Sequence, residues 1–466
     1  MSNPGHNQER IPTRQVDLYE ATPKIQVRSV RGRFADLRSR LRWGFLLVLM
    51  AGPWLTWNDR QALLFDLPER QFHVFGLTFF PQDFILVSGL LIIGAFALFA
   101  VTNWLGRVWC GYTCPHSVWF QMFIDIEQWI EGPRHRRIRQ DEGSWTGAIW
   151  RMKVRKWLVW AALAVVTGVS IVGYFVPVRE LIPALATLSL GGWALFWVGF
   201  FVTATFGMGA ILREQVCLYM CPYARFQSAM FDPDTLIVSY DPGRGEPRGP
   251  RPRKADPQEL GLGDCIDCEL CVQVCPVGID IRDGLQYECI SCAHCIDACD
   301  GVMERMGYAP GLISYTTENR LEGRHSPVLR PRLIGYGLVL AIMIAAFGWL
   351  ALARGEAELD VLRDRGSLYR EVIVDGEALI ENAYSLRVVN KTQQAHVWQI
   401  DVTGLDPVRV MGETQVRIAP GQNLEVPIRL QAPRREARRT GIVFRLRDGD
   451  ELVVKEQSSF LTGGGP

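Results

Sequence analysis

Residues 265–299 read CIDCELCVQVCPVGIDIRDGLQYECISCAHCIDAC. Two near-identical blocks make up this stretch. Cys265, Cys268, Cys271 and Cys275 follow C-x2-C-x2-C-x3-C-P, and Cys289, Cys292, Cys295 and Cys299 follow C-x2-C-x2-C-x3-C-D. Three cysteines two residues apart wrap one face of an iron–sulfur cluster through a tight loop, and the fourth reaches a second cluster. This assigns Cys265, Cys268, Cys271 and Cys299 to a first [4Fe–4S] cluster. Cys289, Cys292, Cys295 and Cys275 take the second. Structural zinc is the alternative, but zinc sites use two thiolate pairs at larger separation. Asp300 stands where the other block has a proline, which removes no ligand.

The arrangement is that of bacterial two-cluster ferredoxins. Asp264, Asp267, Glu269, Asp280 and Asp283 surround it. They read as a docking face for a donor or as a plain solvated acidic surface. The stretch 241–258, DPGRGEPRGPRPRKADPQ, has no apolar period and reads as a linker into the insert, which spans 259–325. Its arginines suit an anionic membrane surface.

Either side of the insert lie long apolar runs. Phe84–Trp104, Trp157–Val178, Trp193–Leu212 and Leu333–Ala353 contain no Asp, Glu, Lys or Arg, and each approximates the ~20 residues that cross a bilayer. A shorter run, Trp43–Trp57, carries Gly52-Pro53 and reads as a fifth span or an interfacial helix. Tryptophans at the run ends fit the aromatic belt of a membrane interface. No short apolar region with a small-residue cleavage site occupies the first 40 residues, which argues against a cleaved signal peptide. Lys and Arg number nine in 1–42, nine in 105–156 and 13 in 213–332, against two and one in the short opposite loops. That bias puts the N-terminus and the insert inside and the C-terminal tail outside.

The expected order is then a basic tail 1–41, a four-span domain 42–240, the linker, the insert, a last span 330–354 and an exported domain 355–466. The length of 466 residues fits about three units. A formal charge of +1 excludes a globally basic nucleic-acid binder. In the tail, apolar and polar residues alternate over Tyr369–Val374, Tyr384–Val389, Val397–Val402, Val408–Met411, Leu424–Leu430 and Gly441–Leu446. Turn residues such as Pro420-Gly421 and Asp448-Gly449 separate them. This predicts an antiparallel, immunoglobulin-like β-sandwich of about 100 residues. It shows no catalytic constellation, and His396 reads as a surface strand residue.

Four further cysteines follow spans. Cys110 and Cys114 sit in WCGYTCP, and Cys217 and Cys221 sit in VCLYMCP. Both read C-x-Y-x-C-P, with Trp119 or Phe226 five residues beyond the second cysteine. A duplicated unit of two spans plus C-x3-C-P explains the pattern. On a helix, residues i and i+4 share a face, so each pair of thiols can aim at one point. Thiolates favour soft ions, copper(I) above all. Tyr112, Tyr219, His116 and Met220 are near enough in sequence to add ligands or tune the site. Structural cysteines packing helix ends are a second reading. Disulfides are a third, disfavoured in a reducing interior.

Taken together, the basic tail, the two C-x3-C-P motifs, the two-cluster insert before the last span and the exported sandwich resemble one family. It is the cytochrome c oxidase accessory proteins of the CcoG, FixG-like or Rdx-like type, and the resemblance covers nearly the whole chain. It implies a copper(II) reductase of the bacterial inner membrane, supplying copper(I) for a cbb-type cytochrome c oxidase, with copper-loading or oxidase-assembly proteins as partners. The family's cluster ligands match the eight cysteines of 265–299, and its membrane-surface motif matches Cys110, Cys114, Cys217 and Cys221. No G-x-G-x-x-G nucleotide fingerprint follows a strand, so the donor is a cytoplasmic protein or a membrane quinol. Two alternatives remain: a quinol dehydrogenase subunit of a periplasmic reductase chain, and a redox-sensing membrane regulator.

Overall fold

The computed structural model describes residues 24–462 except 59, 254, 257, 258, 354, 365–367, 375 and 393. Most of the expected basic tail, residues 1–23, lies outside that range. Four described helices are long and apolar enough to cross a membrane: Phe84–Leu105, Gly147–Val172, Gly192–Leu212 and Pro331–Leu352. Each matches one of the charge-free runs. Ile85, Leu91, Leu158, Val166, Phe196 and Leu338 stand exposed along them, as lipid-facing side chains must. Pro331–Leu352 packs on Phe84–Leu105, and Gly147–Val172 packs on Gly192–Phe206.

The fifth run is not a helix over its own length. It supplies the second half of the helix Arg33–Ala51, whose first half carries Arg33, Asp36, Arg38, Arg40 and Arg42. Pro53 lies just past its end and cannot continue an α-helix. The helix is not among the four described helices long and apolar enough to cross a membrane, but it is tied to its neighbours at both ends. At its start the Asp297 carboxylate of the cluster insert accepts from Phe34 N and Ala35 N at 3.2 and 2.7 Å, capping donors that the helix leaves open. At its other end Tyr174, just past the span Gly147–Val172, donates from Oη to the Leu49 carbonyl at 2.9 Å.

The loop after Ala51 is also more than a connection. Leu63–Asp66, Gln71–Val74 and Leu77–Phe79 form a three-stranded antiparallel sheet. Lys391 of the C-terminal domain reaches Asp83 at 3.2 Å beside this sheet and Glu358 at 2.7 Å. The sandwich therefore sits at the end of the bundle opposite the cluster insert.

Two antiparallel sheets make the C-terminal sandwich. One runs Arg409–Gly412, Asn423–Pro433, Glu377–Asn390, Ala357–Arg363, with Arg370–Val374 also on Glu377–Asn390. The other runs Gln415–Ile418, His396–Thr403, Arg439–Asp448, Glu451–Leu461. Alternation buries Tyr384, Leu386, Val388, Trp398, Ile428, Leu430, Phe444 and Leu446 between the sheets, the inward set that period-two patterning requires. All six expected strands are present. Ala357–Arg363, Gln415–Ile418 and Glu451–Leu461 add to them. His396 opens a strand, stacked on Trp398 with Nδ1 3.1 Å from Asp448.

The insert is closed by a two-stranded pairing of Ile237–Tyr240 with Ile313–Thr316. Segment 241–258, expected as a linker, packs on the insert it enters. Arg244 pairs with Asp264 at 2.6 Å, and Arg251 bonds Tyr308 Oη at 3.0 Å.

Candidate metal and electron-transfer site

Both cysteine blocks fold alike. In the first, Asp267 and Glu269 flank Cys268 with left-handed backbone (φ 54 for each). In the second, Ser291 and Ala293 flank Cys292 in the same way (φ 53 and 61). Left-handed conformations are uncommon outside glycine and mark a loop held in place by its surroundings. Here they curl three thiols around one point. Short helices Leu270–Gln273 and His294–Met306 follow the two loops.

Two small cavities of about 20 Å³ each lie inside the insert. Cys275, Cys289, Cys292 and Cys295 line the first, and Cys271 lines it as well. Cys265, Cys268, Cys271 and Cys299 line the second. The remaining walls are largely apolar, including Val277, Ile279, Ile281 and Ile290 in one and Ile266, Val302, Leu312 and Ile313 in the other. Burial pushes the thiols of Cys271, Cys275 and Cys299 up to about 12 and Cys289 up to about 11. Neighbouring cysteines add to the shift: Cys292 and Cys289 act on Cys275, and Cys271, Cys265 and Cys268 act on Cys299. Four thiolates crowded in apolar walls need a polycationic core to neutralise them. The donor sets fit two iron–sulfur clusters, with each fourth ligand crossing over from the other block.

The C-x3-C-P motifs differ from the single-helix geometry expected of them. Cys110 lies in a short helix, Val108–Tyr112, and Cys114 caps the next helix, Pro115–Glu131. Cys217 lies in a π-helical turn, Val216–Met220, and Cys221 caps Pro222–Ser228. The proline is the reason: at the first helical position it needs no hydrogen bond and starts a new helix. The four thiols lie within electrostatic reach of one another, although no three His, Cys, Asp or Glu side chains are grouped closely enough to hold a metal ion among the described residues. Burial first, then Arg107 and the charges of Cys114 and Cys221, act on Cys110, whose thiol sits at about 11. Burial, then Cys114, Cys110 and Cys221, push Cys217 up to about 12.

Among the neighbours considered as ligands, His116 gives Nε2 to the Arg213 carbonyl at 2.8 Å and stacks on Phe120. Burial lowers its pKa. Tyr112 is 7% exposed, while Tyr219 and Met220 are 61% and 58% exposed. Trp119 is buried and donates to Thr167 Oγ1 at 3.0 Å, whereas Phe226 is exposed.

Three residues that sequence reading passed over join the motif to the insert. A Cβ on Gly111 would lie 2.8 Å from the Ile290 carbonyl oxygen, 2.9 Å from that of Ser291 and 3.1 Å from Cys292 Cα. Only glycine permits that approach. Gln227 is buried and its Oε1 accepts from Arg107 Nε at 3.2 Å and from Cys110 Sγ at 3.1 Å. Arg107 also donates to the Tyr287 carbonyl, two residues before Cys289. A tyrosine relay adds to this contact. Tyr112 Oη and Tyr315 Oη lie 3.1 Å apart, and Tyr315 donates to the Ser291 carbonyl at 2.6 Å.

Also unread in the sequence is a buried ion cluster beneath the second motif. Glu127 is fully buried, with Lys24 at 2.6 Å, Arg213 at 2.8 Å, and Lys156 and Arg137 each at 3.3 Å. Burial alone would raise its pKa, but Arg213, Lys24 and Lys156 outweigh burial and hold the carboxyl well below the usual carboxylate range. Arg213 stands four residues before Cys217 and so ties that motif to the bundle.

Apolar spans, two cysteine-lined cavities and a thiol set against one of them define a membrane iron–sulfur oxidoreductase. Known proteins agree. Residues 212–318 match the family described as a 4Fe-4S dicluster domain, and residues 347–463 match the Ig-like fold at the C-terminus of FixG. The chain is 38% identical over 441 residues to the nitrogen fixation protein FixG of Rhizobium meliloti, covering 85% of this chain and 82% of that protein. It is 38% identical over 452 residues to protein RdxA of Cereibacter sphaeroides, covering 92% and 94%. A crystal structure of a FixG-related protein from Vibrio parahaemolyticus is 34% identical, covering 23% of this chain and 98% of that one with a TM-score of 0.21. The chain belongs to the FixG-like family.

Proposed function

We propose that the protein reduces copper(II) to copper(I) at the thiols of Cys110, Cys114, Cys217 and Cys221. The observation that carries this reading is the seating of Gly111, next to Cys110, against the Ile290–Cys292 backbone of the second cysteine block. Bound clusters supply single electrons, and copper(II) accepts one. The chain's own residues do the rest. The four cysteines hold copper and favour its reduced, softer state. Gln227 orients the Cys110 thiol through Sγ and Oε1. Arg107 offers positive charge to the thiolates that form when copper displaces their protons. His116 is a weak candidate ligand, since its Nε2 is already held.

The resemblance to oxidase accessory proteins extends the proposal. The copper(I) product passes to a copper-loading or oxidase-assembly partner of a cbb-type oxidase. Lysine and arginine in the loops support an inner-membrane setting with clusters in the cytoplasm and the sandwich in the periplasm. The test is anaerobic turnover of copper(II) by cluster-replete protein, followed with a copper(I) chelator. The protein should turn over, and the variant with all four cysteines changed to serine should not, with its clusters retained. Quinol oxidation without copper turnover would overturn this reading in favour of a quinol dehydrogenase.

A further inference from the structure

The two cluster cavities sit in unequal fields. Around the one lined by Cys275, Cys289, Cys292 and Cys295 stand two buried guanidiniums, Arg38 at 4% exposure and Arg107 at 2%. Arg38 donates from Nη1 to Gln121 Oε1 at 2.9 Å and lies 3.3 Å from His294 Nε2. Arg107 bonds Gln227 and the Tyr287 carbonyl. Neither has an ion pair with a carboxylate among the described residues. Asp125 is held by Arg42 at 2.6 Å and meets Arg38 through Gln121. Asp297 turns its charge to the amides of Phe34 and Ala35. The attractive charge felt most by Arg38 is that of Cys292, and Arg107 acts on Cys289. Arginine does not lose its proton in proteins. Arg38 also borders an open polar cavity with Asp36 and Asp125, but a buried cation without a direct ion pair is costly, and a thiolate-ligated cluster would supply counter-charge to both arginines.

The other cavity is neutralised. Arg282, the guanidinium nearest in effect to Cys271, is bound by Asp280 at 2.6 Å and by Asp267. Arg244 is bound by Asp264 at 2.6 Å. Asp300 and Asp280 add negative charge beside Cys299 and Cys271. Arg251 reaches the Cys265 carbonyl at 3.3 Å, but it is only half-buried. Cys268 is exposed.

We infer that the cluster held by Cys275, Cys289, Cys292 and Cys295 has the higher reduction potential, set by Arg38 and Arg107, and that electrons run towards it from the exposed end. Net charge around a cluster is one of the main levers on its potential. A fixed cation stabilises the reduced state, which carries one more negative charge. The residues would hold two clusters between which one electron would pass, from the one held by Cys265, Cys268, Cys271 and Cys299 (the outer cluster) to the one held by Cys275, Cys289, Cys292 and Cys295, with no bond made or broken. The electron is supplied to the outer cluster by an external one-electron donor at the Cys268 end. This rests on the reading of the insert as a two-cluster carrier, and it does not need copper to be the acceptor.

The test is a redox titration of the cluster-replete full chain, reduced stepwise with dithionite and read by electron paramagnetic resonance. Two separate waves are expected. Arg38→Gln should move the upper wave to lower potential and leave the lower wave in place, and Arg38→Lys should restore most of the shift. Arg107→Gln gives the same reading should Arg38→Gln fail to retain clusters. A shift confined to the lower wave would reverse the order and overturn the inference. Coincident waves, or no shift in either variant with clusters intact, would do the same. Because no copper is present, failure here is distinguishable from failure of the reductase reading.

Discussion

The two C-x3-C-P motifs look like copies, yet the chain uses them differently. Cys110-Gly111-Tyr112 is packed between the bundle and the insert, and its tyrosine is buried in a relay to Ser291. Cys217-Leu218-Tyr219 occupies a π-helical turn whose tyrosine and following Met220 face outward. One motif carries glycine where the other carries leucine, at the position that touches the cluster loop. On the proposed reading, the first copy is the side of electron delivery and the second the side of metal access. A repeated motif in sequence need not be a symmetric site in space.

Acidity sharpens this comparison most. Each motif contributes one thiol held at about 11 or 12, Cys110 and Cys217, so both are protonated at neutral pH. Copper(I) binding must displace those protons, and affinity should climb as pH rises through neutrality, levelling above the thiol values. Each of these two protons contributes about tenfold in affinity per pH unit. Cys110→Ser or Cys217→Ser should each cut that slope by one proton, which competition with a copper(I) chelator at several pH values would measure.

The second motif is anchored by the buried ion cluster. Glu127→Gln leaves Arg213, Arg137, Lys24 and Lys156 without their shared carboxylate. Breaking a buried pair costs about 3–5 kcal/mol, visible as a lowered thermal midpoint in detergent. The first motif is anchored by its glycine. Gly111→Leu should push the cluster loop away and slow copper(II) reduction by on the order of 100-fold, since small misplacements cost that much. Leu218→Gly should leave the rate within about twofold, because no such approach occurs there, apart from ~1 kcal/mol of helix propensity. Equal losses in both variants would erase the distinction. The smallest effect is expected from Tyr315→Phe, which removes the bond to the Ser291 carbonyl and about 1 kcal/mol. Thermal unfolding would read it.

Cysteine spacing made the cluster blocks legible, because ligand order within one short segment dictates which thiols can share a cluster. The spans and six sandwich strands were legible from charge-free length and from alternation. What escaped depends on contacts between distant positions. Gly111 reads as a spacer until the Ile290–Cys292 loop is beside it. Glu127 and its partners are drawn from residues 24, 137, 156 and 213, which no local pattern links. Helix Arg33–Ala51 was legible only from Trp43 on, because its first half carries Arg33, Asp36, Arg38, Arg40 and Arg42, of which Arg38 and Arg42 are buried through tertiary contacts. The C-P junctions were open to a better reading, since proline after cysteine signals a helix start rather than a continued face.

The central claim is that the four thiols form one copper site fed by the adjacent cluster. It is tested most directly by single turnover. Protein with fully reduced clusters is mixed anaerobically with one equivalent of copper(II), and cluster absorbance and copper(I) are followed together. We predict that clusters reoxidise as copper(I) appears, at one rate, and that both signals vanish when Cys110, Cys114, Cys217 and Cys221 are serine. Clusters that stay reduced in the parent protein, or reoxidise as fast in the serine variant, would contradict the account.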